Sequence, residues 1–258
     1  DWYRSRGLGD VYKRQGRLSE WTYGSFLVSS LTSTYLGNGD RHELQLQLGS
    51  EAGSDNLPGC RDASISSQFP TTNNYGSPYI GPSYSFSQGE TVALVQCDLF
   101  NYALPSGYAV ESSSITLDLI NVVQSPEVGV WEGLNHQWNE QEVTWNKFDA
   151  SNTWSQAGAN GLDRGTILDT NIISSSSSNL VEWNVTYASQ RSMRNAEPLD
   201  LIFAVIPSQT SSGSALFASH FHPQVTRHPI LKIVYIPGSD VPPAQPILES
   251  PANGEFVY

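Results

Sequence analysis

Cysteine, lysine, methionine and long apolar runs are all scarce in this chain, and each scarcity excludes something. Among 258 residues there are two cysteines, three lysines and one methionine. No stretch of eighteen apolar residues occurs, so no helical membrane span is expected. Lys and Arg total 13 against 25 Asp and Glu, a net charge of -12, which leaves no basic footprint for a phosphate backbone and excludes nucleic acid as a partner. Two cysteines without a C-x-x-C pair exclude a cysteine-built zinc module. No G-x-S-x-G, H-E-x-x-H, G-x-G-x-x-G, P-loop or S-x-x-K pattern is present. On these grounds the chain is expected not to be an enzyme.

What remains is neutral and polar. Charged residues make up only 15%, while Ser, Thr, Asn and Gly are abundant and aromatics reach 11%, with seven Trp and twelve Tyr. Such a composition argues for order and for a secreted or cell-surface location, although no signal peptide is recognisable, so export rests on composition. Cys60 and Cys97 then have two readings, a disulfide permitted by export or two buried apolar thiols.

Hydrophobic alternation of period two recurs along the chain and long amphipathic helices do not. Leu44, Leu46 and Leu48 alternate with polar residues, Ile115, Leu117 and Leu119 do the same, TVALVQCDLF fills both faces with Val92, Ala93, Leu94 and Val95, LDLIFAVIP is continuously apolar after Asp200, and HPILKIVYIP closes the series. LVEWNVTYASQRSMR holds the only expected helical turns. Short strands at this spacing predict an all-β fold, a jelly-roll β-sandwich of two antiparallel sheets over residues 44–236. Residues 1–43 form an N-terminal segment, whose first fifteen resemble translated adapter read-through and are set aside. A proline-rich linker is expected at 237–246, and ILESPANGEFVY at 247–258 reads as the first strand of a following immunoglobulin- or fibronectin-like module, the chain being then a fragment of a longer multidomain protein.

Four groups of residues could carry chemistry. Tyr75, Tyr79 and Tyr84 lie in a loop rich in Asn, Gly and Pro, where rings can stack on the apolar face of a sugar or anchor the loop to the sandwich. His220 and His222, two apart, would share one face if FASHFHP is a strand, lining a ligand groove, ligating a metal, or lying in the core. Glu51, Asp55, Asn56 and Asp62 form an oxygen-rich group suited to calcium, or a solvated loop capped by its own side chains. Glu132, Glu140 and Glu142 are the nearest approach to a glycosidase carboxylate pair, and structural or surface roles fit them equally.

The succession DASISSQFPTTNNYG, TVALVQCDLFNYALPSG, SSITLDLINVV, VWEGLNHQWNEQEVTWN, VEWNVT and HPILKIVYIP resembles the DNRLRE-type domain, a family related to disaggregatase-type repeats and to carbohydrate-binding module family 96. The matching positions are Asp62, Asn74, Tyr75 and Gly76, then Asp98, Leu99, Leu104 and Pro105. Trp138, Glu140, Thr144, Trp145 and Asn146 follow, then Trp154 and Gly161, then Trp183, Val185 and Thr186. Gln96 and Cys97 stand where the family has a basic residue and Phe, Asn184 replaces an acid, and His220 takes a position often acidic. The resemblance implies a jelly-roll module on an exported protein, binding polysaccharide without catalysis, with no required cofactor and Ca2+ as an optional one. The alternative it implies is a structural or adhesive module of a surface stalk or filament, whose partners are neighbouring domains or further copies of itself.

Overall fold

The alternation in HELQLQ becomes a strand with one wet and one buried face, and its neighbours follow the same rule. The computed structural model describes residues 31–35, 41–48, 60–99, 107–135, 137–175, 179–207 and 212–238. Within these the strands are β1 (Leu31–Tyr35), β2 (His42–Gln47), β3 (Cys60–Ser66), β4 (Tyr79–Ile80), β5 (Ser83–Ser85), β6 (Gly89–Cys97), β7 (Tyr108–Val123), β8 (Glu127–Gly133), β9 (Arg164–Ile172), β10 (Leu180–Asn184), β11 (Leu199–Val205), β12 (Gly213–Ala218) and β13 (Ile230–Pro237). One α-helix, α1, spans Thr186–Asn195.

All the pairings are antiparallel, and they form two layers. The first runs β1-β2-β13-β7-β10. The second runs β9-β8-β11-β6, with β3 and β5 also on β6, while β12 pairs with β4, β5 and the C-terminal part of β7. The long strand β7 serves both: Tyr108 to Thr116 pair with β13, and Leu119 to Val123 with β12. The result is an all-β antiparallel fold resembling a jelly-roll-like sandwich.

The main core lies between the layers. Leu44, Leu46, Ile115, Leu117, Leu231, Ile233 and Trp183 come from the first, and Val95, Val130, Leu201, Phe203 and Phe217 from the second. Trp183 sits edge-on to Phe203 and Phe217, ring centroids 5.2 and 5.7 Å away. The other side chains of the second layer are buried as well. Ile65, Val92, Leu94, Ile202 and Ala204 pack beneath Trp138, Val143 and Trp154 of the irregular segment 134–163, a second core on the outer face. This explains why Val92 to Val95 of β6 and Leu201 to Val205 of β11 are continuously apolar rather than alternating: both faces of their sheet are covered.

The expected domain start at residue 44 differs from the structure, because β1 pairs with β2 from Leu31↔Leu46 to Tyr35↔His42, so an edge strand comes from the N-terminal segment. The proline-rich linker beyond Gly238, the segment 247–258 and the first fifteen residues lie outside the described residues. No helix among the described residues is long and apolar enough to cross a membrane.

Candidate functional site

At one end of β3 the second layer, the Trp-bearing segment and the turn after β12 converge on Asp62. Asp62 is an inner position of β3, paired with Val95 of β6. Its carboxylate is buried and accepts two hydrogen bonds from the turn, from Ser219 Oγ at 2.7 Å and the His220 backbone N–H at 2.8 Å. Phe221 N–H donates to Ser219 Oγ at 3.1 Å and His222 N–H to the Ser219 carbonyl at 3.0 Å, which closes the turn and carries the His220 ring back over Asp62.

Glu140 arrives from the opposite side. Asn73 Nδ2 donates to the carbonyls of Glu140 and Val143 at 2.9 and 2.8 Å and so fixes that stretch of the Trp-bearing segment. Glu140 Oε1 accepts the Asp62 backbone N–H at 3.2 Å and lies 3.4 Å from His220 Nε2. His220 Nδ1 lies at ion-pair distance, 3.2 Å, from Asp62 Oδ1, yet it is a buried nitrogen that makes no hydrogen bond. The imidazole is thus held between two carboxylates, with side-chain exposures of 8% for His220, 1% for Asp62 and 15% for Glu140.

Burial dominates the electrostatics. It pushes Glu140 up to about 7 from the usual 4.5, with the Asp62 charge adding to the rise and His220, the Asp62 N–H and Arg61 opposing it. For His220 burial acts downward, but the charge of Asp62 close beside it together with that of Glu140 outweighs it, and its pKa is raised above 6.5. One ligand atom from each of Asp62, Glu140 and His220 can be chosen so that all lie within 4.8 Å of one another. This arrangement could coordinate a divalent metal ion, or hold a proton shared among the three groups.

A second polar group lies alongside under the Trp-bearing segment. Asp200 Oδ1 accepts from Trp138 Nε1 at 3.1 Å and from Gln96 Nε2, whose Oε1 in turn accepts from Arg61. The Arg61 guanidinium lies over the Trp138 ring, 4.9 Å from its centre. These contacts join β3, β6 and β11 to the segment above them.

Sequence reasoning singled out Asp62 and His220 separately, and these two meet in one cluster with Glu140. Glu51 and Asp55, expected to share calcium with Asp62, lie outside the described residues. His220 and His222 do not emerge from a strand, because β12 ends at Ala218 and both belong to the following turn. His222 points elsewhere: its Nδ1 accepts from Gln224 N–H at 3.1 Å and its ring lies 5.8 Å from that of Tyr79. Tyr75 and Tyr79 are close to this turn, Tyr75 edge-on to Phe221 at 5.1 Å, and they are 37% and 39% exposed. Tyr84 is not with them. It pairs opposite Gly213 while Tyr79 pairs opposite Ala218, about five strand residues or roughly 16 Å along β12, and it packs against the main core and Phe86. Of the three carboxylates considered for glycoside chemistry, Glu132 forms an ion pair with Arg191 at 3.0 Å, and Glu142 accepts from Ala150 N–H and Asn139. Glu140 was read as a candidate carboxylate or a structural residue and not as a partner of Asp62 and His220, because no spacing rule links it to positions 78 residues before and 80 after it.

Cys60 and Cys97 face each other across β3 and β6 and are joined by a disulfide.

No family model matches the chain, and no curated protein does. Among solved structures it is similar to the infectious bursal disease virus VP2 subviral particle, at 12% identity and a TM-score of 0.18, covering 73% of this chain and 41% of that one. It is similar to the Gx strain structure of the same virus at 11% identity and a TM-score of 0.17, covering 76% and 43%. The chain spans less than half the length of these structures, and overlaps this slight carry no argument about function.

Proposed function

We propose that the chain is a non-catalytic structural module of an exported multidomain protein, a sandwich that associates with further copies in a surface stalk or filament. The observation that supports this is β9, which ends the strand order of the second layer and pairs, among the described residues, only with β8. An edge strand of nine residues is a template for another strand, and soluble proteins usually blunt such an edge with charge or proline. β9 carries Asp169, whose carboxylate accepts the Asn184 N–H of β10, and its register against β8 shifts twice, yet Ile167 and Ile172 are exposed along it. The Cys60–Cys97 disulfide is in keeping with an oxidising compartment. Strand-to-strand addition supplies main-chain hydrogen bonds, and the exposed isoleucines add apolar area.

A second reading, polysaccharide binding, draws on a different observation: Tyr75 and Tyr79 present partly exposed rings beside Phe221 and His222 at the turn. Rings at that spacing can stack on sugar faces, with or without a bound cation nearby. Sedimentation velocity on the full chain over a wide concentration range separates the two. Concentration-dependent association that disappears in Ile167→Lys and Ile172→Lys is the expected result. A monomer at every concentration overturns the assembly reading, and retention on a polysaccharide panel that is lost in Tyr75→Ala and Tyr79→Ala transfers the function to the second.

A further inference from the structure

We propose that Asp62, Glu140 and His220 form a binding site for a zinc-class divalent ion, Zn2+ or Co2+ rather than Ca2+ or Mg2+, and that the ion fastens the Trp-bearing segment and the turn after β12 to β3. The inference is independent of the assembly reading, which rests on β9.

Three observations carry it. The first is convergence: three side chains from separate parts of the chain bring ligand atoms within 4.8 Å of one another, inside the protein rather than on a solvated loop. The second is an unmet need, since His220 Nδ1 is buried and makes no hydrogen bond although the imidazole side chain is only 8% exposed. A buried ring nitrogen without a partner is uncommon, and an ion beside it would satisfy it. The third is charge: once deprotonated, the two carboxylates supply two negative charges, which one divalent ion neutralises while taking the imidazole as a neutral ligand. The Arg61 guanidinium, whose charge reaches Glu140, donates instead to Gln96 and lies over the Trp138 ring.

The donor set decides the class of ion. Calcium takes six to eight oxygens and magnesium keeps an octahedron of oxygens and waters, so neither favours an imidazole nitrogen among three ligands. Zinc accepts nitrogen and oxygen together and is satisfied by four ligands. The separation of Asp62 Oδ1 from His220 Nδ1, 3.2 Å, is close to the ligand–ligand edge of a tetrahedral zinc site, about 3.3 Å for bonds of about 2.0 Å. The surroundings suit ligation too. Ser219 Oγ and the His220 N–H bond to the Asp62 carboxylate, and the Asp62 N–H bonds to Glu140, so both carboxylates are oriented by neighbours.

The test uses the full chain stripped with chelator and titrated calorimetrically with Zn2+, Co2+ and Ca2+. Zn2+ is expected to bind one equivalent at least about 100-fold more tightly than Ca2+ and to raise the melting temperature. The Co2+ form should show the intense visible absorption of a four-coordinate site. His220→Asn should lower Zn2+ affinity by about 100-fold, and Glu140→Gln, which keeps an oxygen for the Asp62 N–H, by at least tenfold. If His220→Asn does not fold, the wild-type cobalt spectrum decides alone. Calcium binding as tight as zinc, no zinc binding, a weak octahedral cobalt spectrum, or unchanged stoichiometry and affinity in folded His220→Asn would each overturn the proposal.

Discussion

His220 Nδ1 lies 3.2 Å from Oδ1 of Asp62, a residue 158 positions earlier in the chain, and the same ring reaches Glu140 on its other side. Without a metal, this arrangement makes stability depend on pH with a definite sign. Glu140 titrates near 4.5 when unfolded and about 7 when folded, chiefly because of burial, so the folded state holds a proton that the unfolded state releases. Its contribution is therefore present below about pH 4.5 and lost as the pH rises to about 7, a difference of roughly 3 kcal/mol. His220 acts in the same direction: its folded pKa is raised above 6.5, so its stabilisation is present below 6.5 and is lost as the pH rises through the folded value. Urea midpoints measured in chelator should fall from about pH 5 to about pH 8. Glu140→Gln should flatten the lower part of the fall and His220→Asn the upper part. A midpoint that rises over this range would contradict the assignment.

The disulfide offers a separate test. Cys60 and Cys97 close a loop of 37 residues, and in the chain-entropy model this removes about 4 kcal/mol of unfolded-state freedom. The bridge sits at the start of the β3–β6 pairing, whose register continues from Cys60↔Cys97 to Ser66↔Thr91 without a break. Reductant, or the double replacement Cys60→Ala and Cys97→Ala, should lower the unfolding free energy by that order, and the midpoint with it, while leaving the β-sheet circular dichroism unchanged. An unchanged midpoint in scanning calorimetry would show that the bond constrains little.

Trp138 tests whether the Trp-bearing segment is a true layer of the fold. Its indole is buried in the outer core, and its N–H donates to Asp200 Oδ1 at 3.1 Å. Trp138→Phe keeps most of the apolar area but removes that donor from a buried carboxylate, at a cost of about 1–3 kcal/mol. Trp138→Leu should cost more, because ring area and the stacking of Arg61 are lost as well. Chemical denaturation of the wild type and both variants gives the comparison, and a Trp138→Phe variant as stable as the wild type would mean that the indole N–H contributes nothing.

The sequence made the strands readable and left the cluster hidden, for reasons that lie in distance along the chain. Leu44, Leu46 and Leu48 alternate because β2 has one buried face, and LDLIFAV is buried at every position because β11 has two. Those are local patterns with a local cause. The helical turns expected in LVEWNVTYASQRSMR became α1, opened by Asn184, whose side chain accepts the Thr186 N–H at 2.9 Å, and closed by Ala196 in the left-handed region. Which outer residues cover β11 could not be read in this way. Trp138 and Trp154 lie in irregular backbone held by side-chain bonds, such as Trp154 Nε1 to the Thr144 carbonyl at 2.9 Å. Asp62, Glu140 and His220 each stood out or passed unnoticed according to their immediate neighbours, while their meeting depends on the register of β3 against β6 and on the turn after β12. The pairing expected from spacing, His220 with His222, failed because the strand ends at Ala218.

Gly158 provides the last test, one that separates backbone strain from a clash. Its φ is +83°, where a side chain is strained, and a Cβ there would come within 2.4 Å of the Trp145 ring. The contact is fixed on both sides, since Gly158 N–H donates to the Trp145 carbonyl at 2.7 Å and Arg164 Nη2 donates to the Gly158 carbonyl at 3.2 Å. Gly76 has a similar φ of +75° but open space where a Cβ would stand. Gly76→Ala should therefore cost only the conformational term, about 1–2 kcal/mol. Gly158→Ala should cost that and the displacement of a packed indole in addition, roughly 3 kcal/mol or more. Tryptophan fluorescence should shift in Gly158→Ala and not in Gly76→Ala, because only the first moves Trp145. Equal costs with no spectral change would mean that Trp145 yields freely, and the segment would then be a loose cover rather than a packed layer.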